Sequence, residues 1–116
     1  SIHNYPKNTK VTLVGQLLLP GSMHCDYNCG VFLRNPAEDT EKIPVYIFIA
    51  HASNTPMPNR MARLPNPYRE VDFRVRLDNG EYVCNYATVR ITGVICETVD
   101  RDIAVCDISK IEPVTP

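Results

Sequence analysis

The chain has 116 residues, of which 44% are hydrophobic and 22% charged, and its formal net charge is -1. That length is one domain with a real core, and the composition argues against a disordered chain. The charge argues against a dedicated duplex binder, which draws its affinity from neutralised phosphates, and no apolar run reaches the roughly 18 residues of a membrane span.

Ten prolines against five glycines argue against long helices. Residues 1–9 are polar, contain Pro6 and read as an N-terminal arm. A single domain then runs from 10 to 116. Lys10–Leu19 is the first strand, with Val11 and Leu13 alternating around Thr12 and Gly15 marking a bulge or bend. Pro20-Gly21 ends it. Ser22–Gly30 is a loop carrying His24, Cys25 and Cys29. Val31–Arg34 is the second strand, stopped by Asn35-Pro36. Ala37–Lys42 is an acidic turn, read as solvated. Ile43–Ala50 is the third strand, rich in β-branched and aromatic residues.

His51–Arg69 is a proline-rich loop with Pro56, Pro58, Pro65 and Pro67. One helical turn fits at Asn59–Leu64. Connections of that length are often functional. An inserted hairpin, Val71–Tyr86, follows. Val71, Phe73, Val75 and Leu77 share one face, and Asp72, Arg74 and Arg76 the other. Asn79-Gly80 as a two-residue turn places Asp78 opposite Glu81, Val75 opposite Cys84 and Phe73 opposite Tyr86. Tyr82, Cys84 and Tyr86 then extend the apolar face. After Asn85 the alternation changes phase, as at a bulge or a barrel corner. Thr88–Glu97 and Ile103–Ile111 form the last pair of strands. A turn centred near Arg101 sets Cys96 directly opposite Cys106.

Val11–Gly15 (VTLVG) and Val89–Gly93 (VRITG) echo one another, and the last strand ends ISKIEP. A first strand bent at glycine, two more strands, a connection, a late strand with an internal glycine and a closing strand together resemble the OB-fold. The resemblance covers roughly residues 10–113. It implies an all-β, OB-like five-stranded barrel with the Val71–Tyr86 hairpin and the proline-rich loop inserted. The helix usual between the third and fourth strands is replaced here. The alternative is an immunoglobulin-like sandwich, but the chain has no tryptophan for its Cys…Trp…Cys pattern.

The resemblance also implies a ligand face on the second and third strands. Alternation turns Phe32, Arg34, Tyr46 and Phe48 outward, with Arg74 and Arg76 as neighbouring cations. Single-stranded nucleic acid binders combine such rings and cations. The competing expectation is that the proline-rich loop or a protein partner covers this face. Residues 60–90 hold six arginines against four acids, a net of +2, and residues 97–116 hold five acids against Arg101 and Lys110, a net of -3.

Cys25 and Cys29 read as a disulfide across a short loop, or with His24 as metal ligands, although no second ligand pair follows. Cys96 and Cys106 read as buried thiols or as a cross-strand disulfide. Five cysteines tilt the expectation towards an oxidising compartment, periplasmic or secreted, with Cys84 left over. No nucleophile motif, phosphate loop or dinucleotide turn is present. The expectation is a non-catalytic binding module without a cofactor. Its partner is a protein, or in the alternative a single-stranded nucleic acid.

Overall fold

Most of the architecture follows from period-two alternation meeting glycines at fixed points. The computed structural model describes residues 5–23, 25–35, 41–50, 57–98 and 100–114. The expectations for His24, for Glu38 and Asp39 in the acidic turn, and for residues 51–56 of the proline-rich loop fall outside them. The strands are β1 Lys10–Leu18, β2 Asn28–Arg34, β3 Lys42–Phe48, β4 Arg60–Met61, β5 Val75–Arg76, β6 Tyr82–Val83, β7 Thr88–Glu97 and β8 Ile103–Pro113.

Five strands close a barrel in the order β1-β2-β3-β8-β7. Every pairing is antiparallel except β3 with β8, which meet in parallel at Val45 and Val105. A three-strand meander followed by a hairpin whose second strand joins β3 is the OB-like order, so the all-β barrel expectation is met. Closure leaves the barrel sheet no free edge.

Val31 and Leu33 of β2 point inward with Val45 and Ile47 of β3. Val89, Ile91 and Ile95 of β7 and Val105, Ile108 and Ile111 of β8 fill the opposite wall. Full burial of such a side chain is worth about 1.5–3 kcal/mol. Gly15 and Gly93 sit where the strands bend. At Gln16, β1 passes from pairing with β7 to pairing with β2. The β7–β8 register shifts between Thr92 and Val94, around Gly93.

The insertion between β3 and β7 is more than a hairpin. It forms a three-stranded sheet, β4-β5-β6, joined to the barrel by a parallel bridge between Ile49 and Met61. Met61, Phe73, Val75 and Leu77 are buried in the same cluster as the barrel core. Asn59 ties this sheet to β8. Its Oδ1 accepts from the Ile111 N–H at 2.7 Å, its Nδ2 donates to Asp78 Oδ1 at 3.0 Å, and its N–H donates to Arg76 O at 2.7 Å.

The inserted segment corrects several expectations. Asn59–Leu64 holds no helical turn. Arg60 and Met61 pair with Arg76 and Val75 instead, because β5 offers partners to backbone groups that local propensity cannot supply. The hairpin loop has three residues, Asp78-Asn79-Gly80, not two. Leu77 N–H donates to Glu81 O at 2.7 Å, Gly80 N–H donates to Leu77 O at 2.9 Å, and Gly80 takes φ +90°. A tight turn closed by a left-handed glycine is the three-residue hairpin.

Val75 therefore faces Val83, and Arg76 faces Tyr82. A slip of one residue exchanges the faces. Val83 packs on the core, while Tyr82, Cys84 and Tyr86 are exposed. Val71 lies in a 3-10 turn, Glu70–Asp72, and is exposed. The phase change after Asn85 is neither bulge nor barrel corner. It is the turn at Cys84–Ala87, with Tyr86 at φ 72°, between strands of different sheets.

Cys96 stands opposite Ala104, and Cys106 opposite Val94, not opposite one another. The turn centres on Asp100, since Thr98 N–H donates to Asp102 O at 2.8 Å and Arg101 takes φ 66°. The two cysteines are diagonal neighbours with Cα atoms 5.9 Å apart, and their sulfurs lie at disulfide distance. Cys25 and Cys29 are also at disulfide distance, with Cα atoms 4.3 Å apart, and Cys84 is free and exposed.

Candidate functional site

The outer face of the barrel carries a groove over β2 and β3. Cross-strand pairing sets Leu18, Phe32 and Pro44 in one row, and Tyr46 one step along, opposite Gly30. Gly30 leaves room for the Tyr46 ring, whose Cε1 would stand 3.0 Å from a Cβ at that position. Phe32, Pro44, Tyr46 and Cys106 of the Cys96–Cys106 pair line the groove. It is a shallow, open groove of ≈ 840 Å³.

Two connections wall it. The β1–β2 loop contributes Pro20, Gly21 and Ser22, and the end of β7 with the β7–β8 turn contributes Glu97, Thr98, Asp100 and Asp102. Both walls are braced. Leu19 N–H donates to Asn85 Oδ1 at 2.9 Å, and Tyr68 OH donates to Pro20 O at 3.0 Å. The Cys25–Cys29 pair closes the far end of the same loop. Across the groove, Asp102 N–H donates to Thr98 Oγ1 at 3.1 Å, which fixes the turn carrying the carboxylates. Glu97 takes Lys7 at 2.8 Å.

Beyond Tyr46 the outer face of β3 continues to Phe48. Tyr27 stacks on Phe48 with ring centroids 6.4 Å apart, and the Arg60 guanidinium sits 5.4 Å from the Phe48 centroid. Arg60 is directly opposite Arg76 on β5, and Arg76 is directly opposite Tyr82 on β6. Arg76 lies 5.5 Å and Arg74 5.8 Å from the Tyr82 ring centroid. Rings and guanidinium groups thus share one stripe, Phe48–Arg60–Arg76–Tyr82. Arg76 Nε also donates to Gly80 O at 3.2 Å, and Arg60 Nη1 to Ile49 O at 3.3 Å.

The structure brings Phe32 and Tyr46 together in the groove and places Phe48 next along the same strand. Arg34 stands one residue pair past Phe32, between Gln16 and Lys42, and does not line the groove. Its Nε is buried and has no hydrogen-bond partner among the described residues. Lys42 covers Phe32 at 5.8 Å. Arg76 belongs to the second sheet, Arg74 directly precedes β5, and the two continue this face beyond Arg60.

Sequence reasoning passes over Tyr27, Arg60 and Tyr82. A two-residue hairpin loop turns Tyr82 inward, and a helical turn at Asn59–Leu64 takes Arg60 out of the sheet. Asp100 and Asp102 read from sequence as solvent-facing only, although the net charge of -3 over residues 97–116 is an available signal.

Among the described residues no group of three His, Cys, Asp or Glu side chains is placed to hold a metal ion. No described helix is long and apolar enough to cross a membrane. The fold and its outer-face groove define a closed β-barrel of OB-like strand order. Compared with known proteins, the chain matches no family model, no curated protein and no solved structure.

Proposed function

We propose that this chain is a non-catalytic protein-interaction module that seats an extended segment of a partner polypeptide in the groove over β2 and β3. The observation that carries this reading is the groove itself, an apolar floor of Phe32, Pro44 and Tyr46 between two braced loops. An extended segment suits such a floor, because alternate side chains can point down while the others meet the rim. Carboxylates of Asp100 and Asp102 on one wall, next to the Lys7–Glu97 pair, favour basic side chains there.

Two cysteine pairs at disulfide distance support a place outside the reducing cytosol, periplasmic or secreted. The second reading, single-stranded nucleic acid, draws support from the ring and arginine stripe. The acidic wall opposes it, because phosphates crossing the groove would meet the carboxylates of Asp100 and Asp102, beside a Glu97 already paired with Lys7.

The test compares a short peptide of alternating leucine and lysine with a short oligothymidylate by titration calorimetry. The peptide is expected to bind, and Tyr46→Ala to weaken it about tenfold, the loss of one aromatic contact. Oligothymidylate binding that falls steeply with salt, with no peptide binding, would sink the reading in favour of nucleic acid.

A further inference from the structure

The groove and the arginine stripe are one surface. Along β3, Pro44 and Tyr46 line the groove and Phe48 follows at i+2 on the same outer face, with Arg60 over its ring. Direct cross-strand pairing carries that face through Arg76 to Tyr82. One end is therefore bordered by Asp100, Asp102 and the Lys7-paired Glu97, and the other by Arg60, Arg74 and Arg76.

We infer that Arg60, Arg74 and Arg76, held by Phe48 and Tyr82, form an anion-recognising subsite for a partner polypeptide of blocked charge, basic over the groove and acidic over the arginines. This rests on the groove being the seat of a polypeptide. Arg60 and Arg76 stand directly opposite one another, an arrangement that like charges disfavour. The rings compensate by cation–π contact, and they fix the planar guanidinium groups in place before any ligand arrives. Guanidinium groups held in this way suit the fork geometry of carboxylates.

The occupant follows from the sign change along the face. A nucleic acid or a sulfated polysaccharide carries one sign of charge throughout, so its chain would meet repulsion at the acidic wall. A polypeptide, by contrast, can reverse sign along its length. The rings also speak against base stacking, since Tyr82 lies against two guanidinium groups and Phe48 against Tyr27 and Arg60.

The probes are two synthetic peptides of identical composition, leucine, lysine and glutamate, titrated into the full chain by calorimetry. In one, lysines fill one half and glutamates the other; in the second, the charges are interspersed. The block peptide is expected to bind about tenfold tighter, the contribution of one or two charge-assisted contacts. The paired substitution R60Q/R76Q is expected to erase that advantage while leaving the leucine–lysine peptide bound as before. Arg74→Gln, at an exposed position, serves as the milder variant and is expected to remove part of the advantage.

Equal affinity of the two peptides overturns the inference. So does a block advantage that survives all three arginine substitutions. If the leucine–lysine peptide also fails to bind, the groove reading has failed rather than the subsite alone. Tighter binding of oligothymidylate than of the block peptide overturns both.

Discussion

At the scale of single residues, the barrel depends on positions where a side chain has no room. A Cβ on Gly93 would lie 2.6 Å from Val105 Cγ1 and 2.8 Å from Cys106 O. Backbone cannot move aside as a flexible side chain can. Gly93→Ala is expected to destabilise the fold by about 1–3 kcal/mol, the usual cost of overpacking, read as a lower midpoint in urea. Gly21→Ala is the control, because nothing lies within 4 Å of where its Cβ would stand, and its midpoint is expected to stay put. An unchanged midpoint for Gly93→Ala would contradict the packing at the β7–β8 bulge.

At the scale of elements, the insertion is held to the barrel by Asn59 as much as by apolar burial. Asn59→Ala removes the acceptor of the Ile111 N–H and places alanine at φ 69°. The expected loss is about 2 kcal/mol, from an orphaned donor and left-handed strain. Amide hydrogen exchange checks it locally. Protection is expected to fall at Ile111 and through β4–β6 before it falls in β2 and β3. The elements also divide by legibility. The barrel strands are readable because each has one buried face, so alternation alone sets its inward residues, Val31 and Leu33 or Val45 and Ile47.

The short strands of the insertion are not. β4 has two residues and no period to read. Loop length in the hairpin depends on where Gly80 takes its positive φ, which the Asn79-Gly80 pair alone does not decide. The same limit hides half of the site. Phe32, Tyr46 and Phe48 can be assigned from alternation in β2 and β3. Tyr82 can be placed only with the correct turn, and Arg60 only with the tertiary pairing of β4 with β5.

At the scale of the whole molecule, a barrel of OB-like order and its inserted sheet share one core. The Cα radius of gyration, 13.2 Å, is that of a compact chain of this length. Two short-range cysteine pairs brace the molecule, one between the β1–β2 loop and the start of β2 and one across β7 and β8. Crosslinks over such short loops stabilise by roughly 2–3 kcal/mol each, largely through the unfolded chain. The position of the second pair bears on the site more directly, since Cys106 lines the groove. The outer surface changes sign from Asp102 to Arg74, and a partner segment is expected to lie along it. The most direct measurement is an amide chemical-shift map of the labelled protein titrated with the leucine–lysine peptide. Shifts are expected to cluster at Gly30, Phe32, Tyr46, Thr98 and Asp102, with β1 residues Thr12 and Val14 unmoved. Shifts confined to the β4–β6 sheet, or spread evenly over the barrel, would contradict a partner seated in the groove.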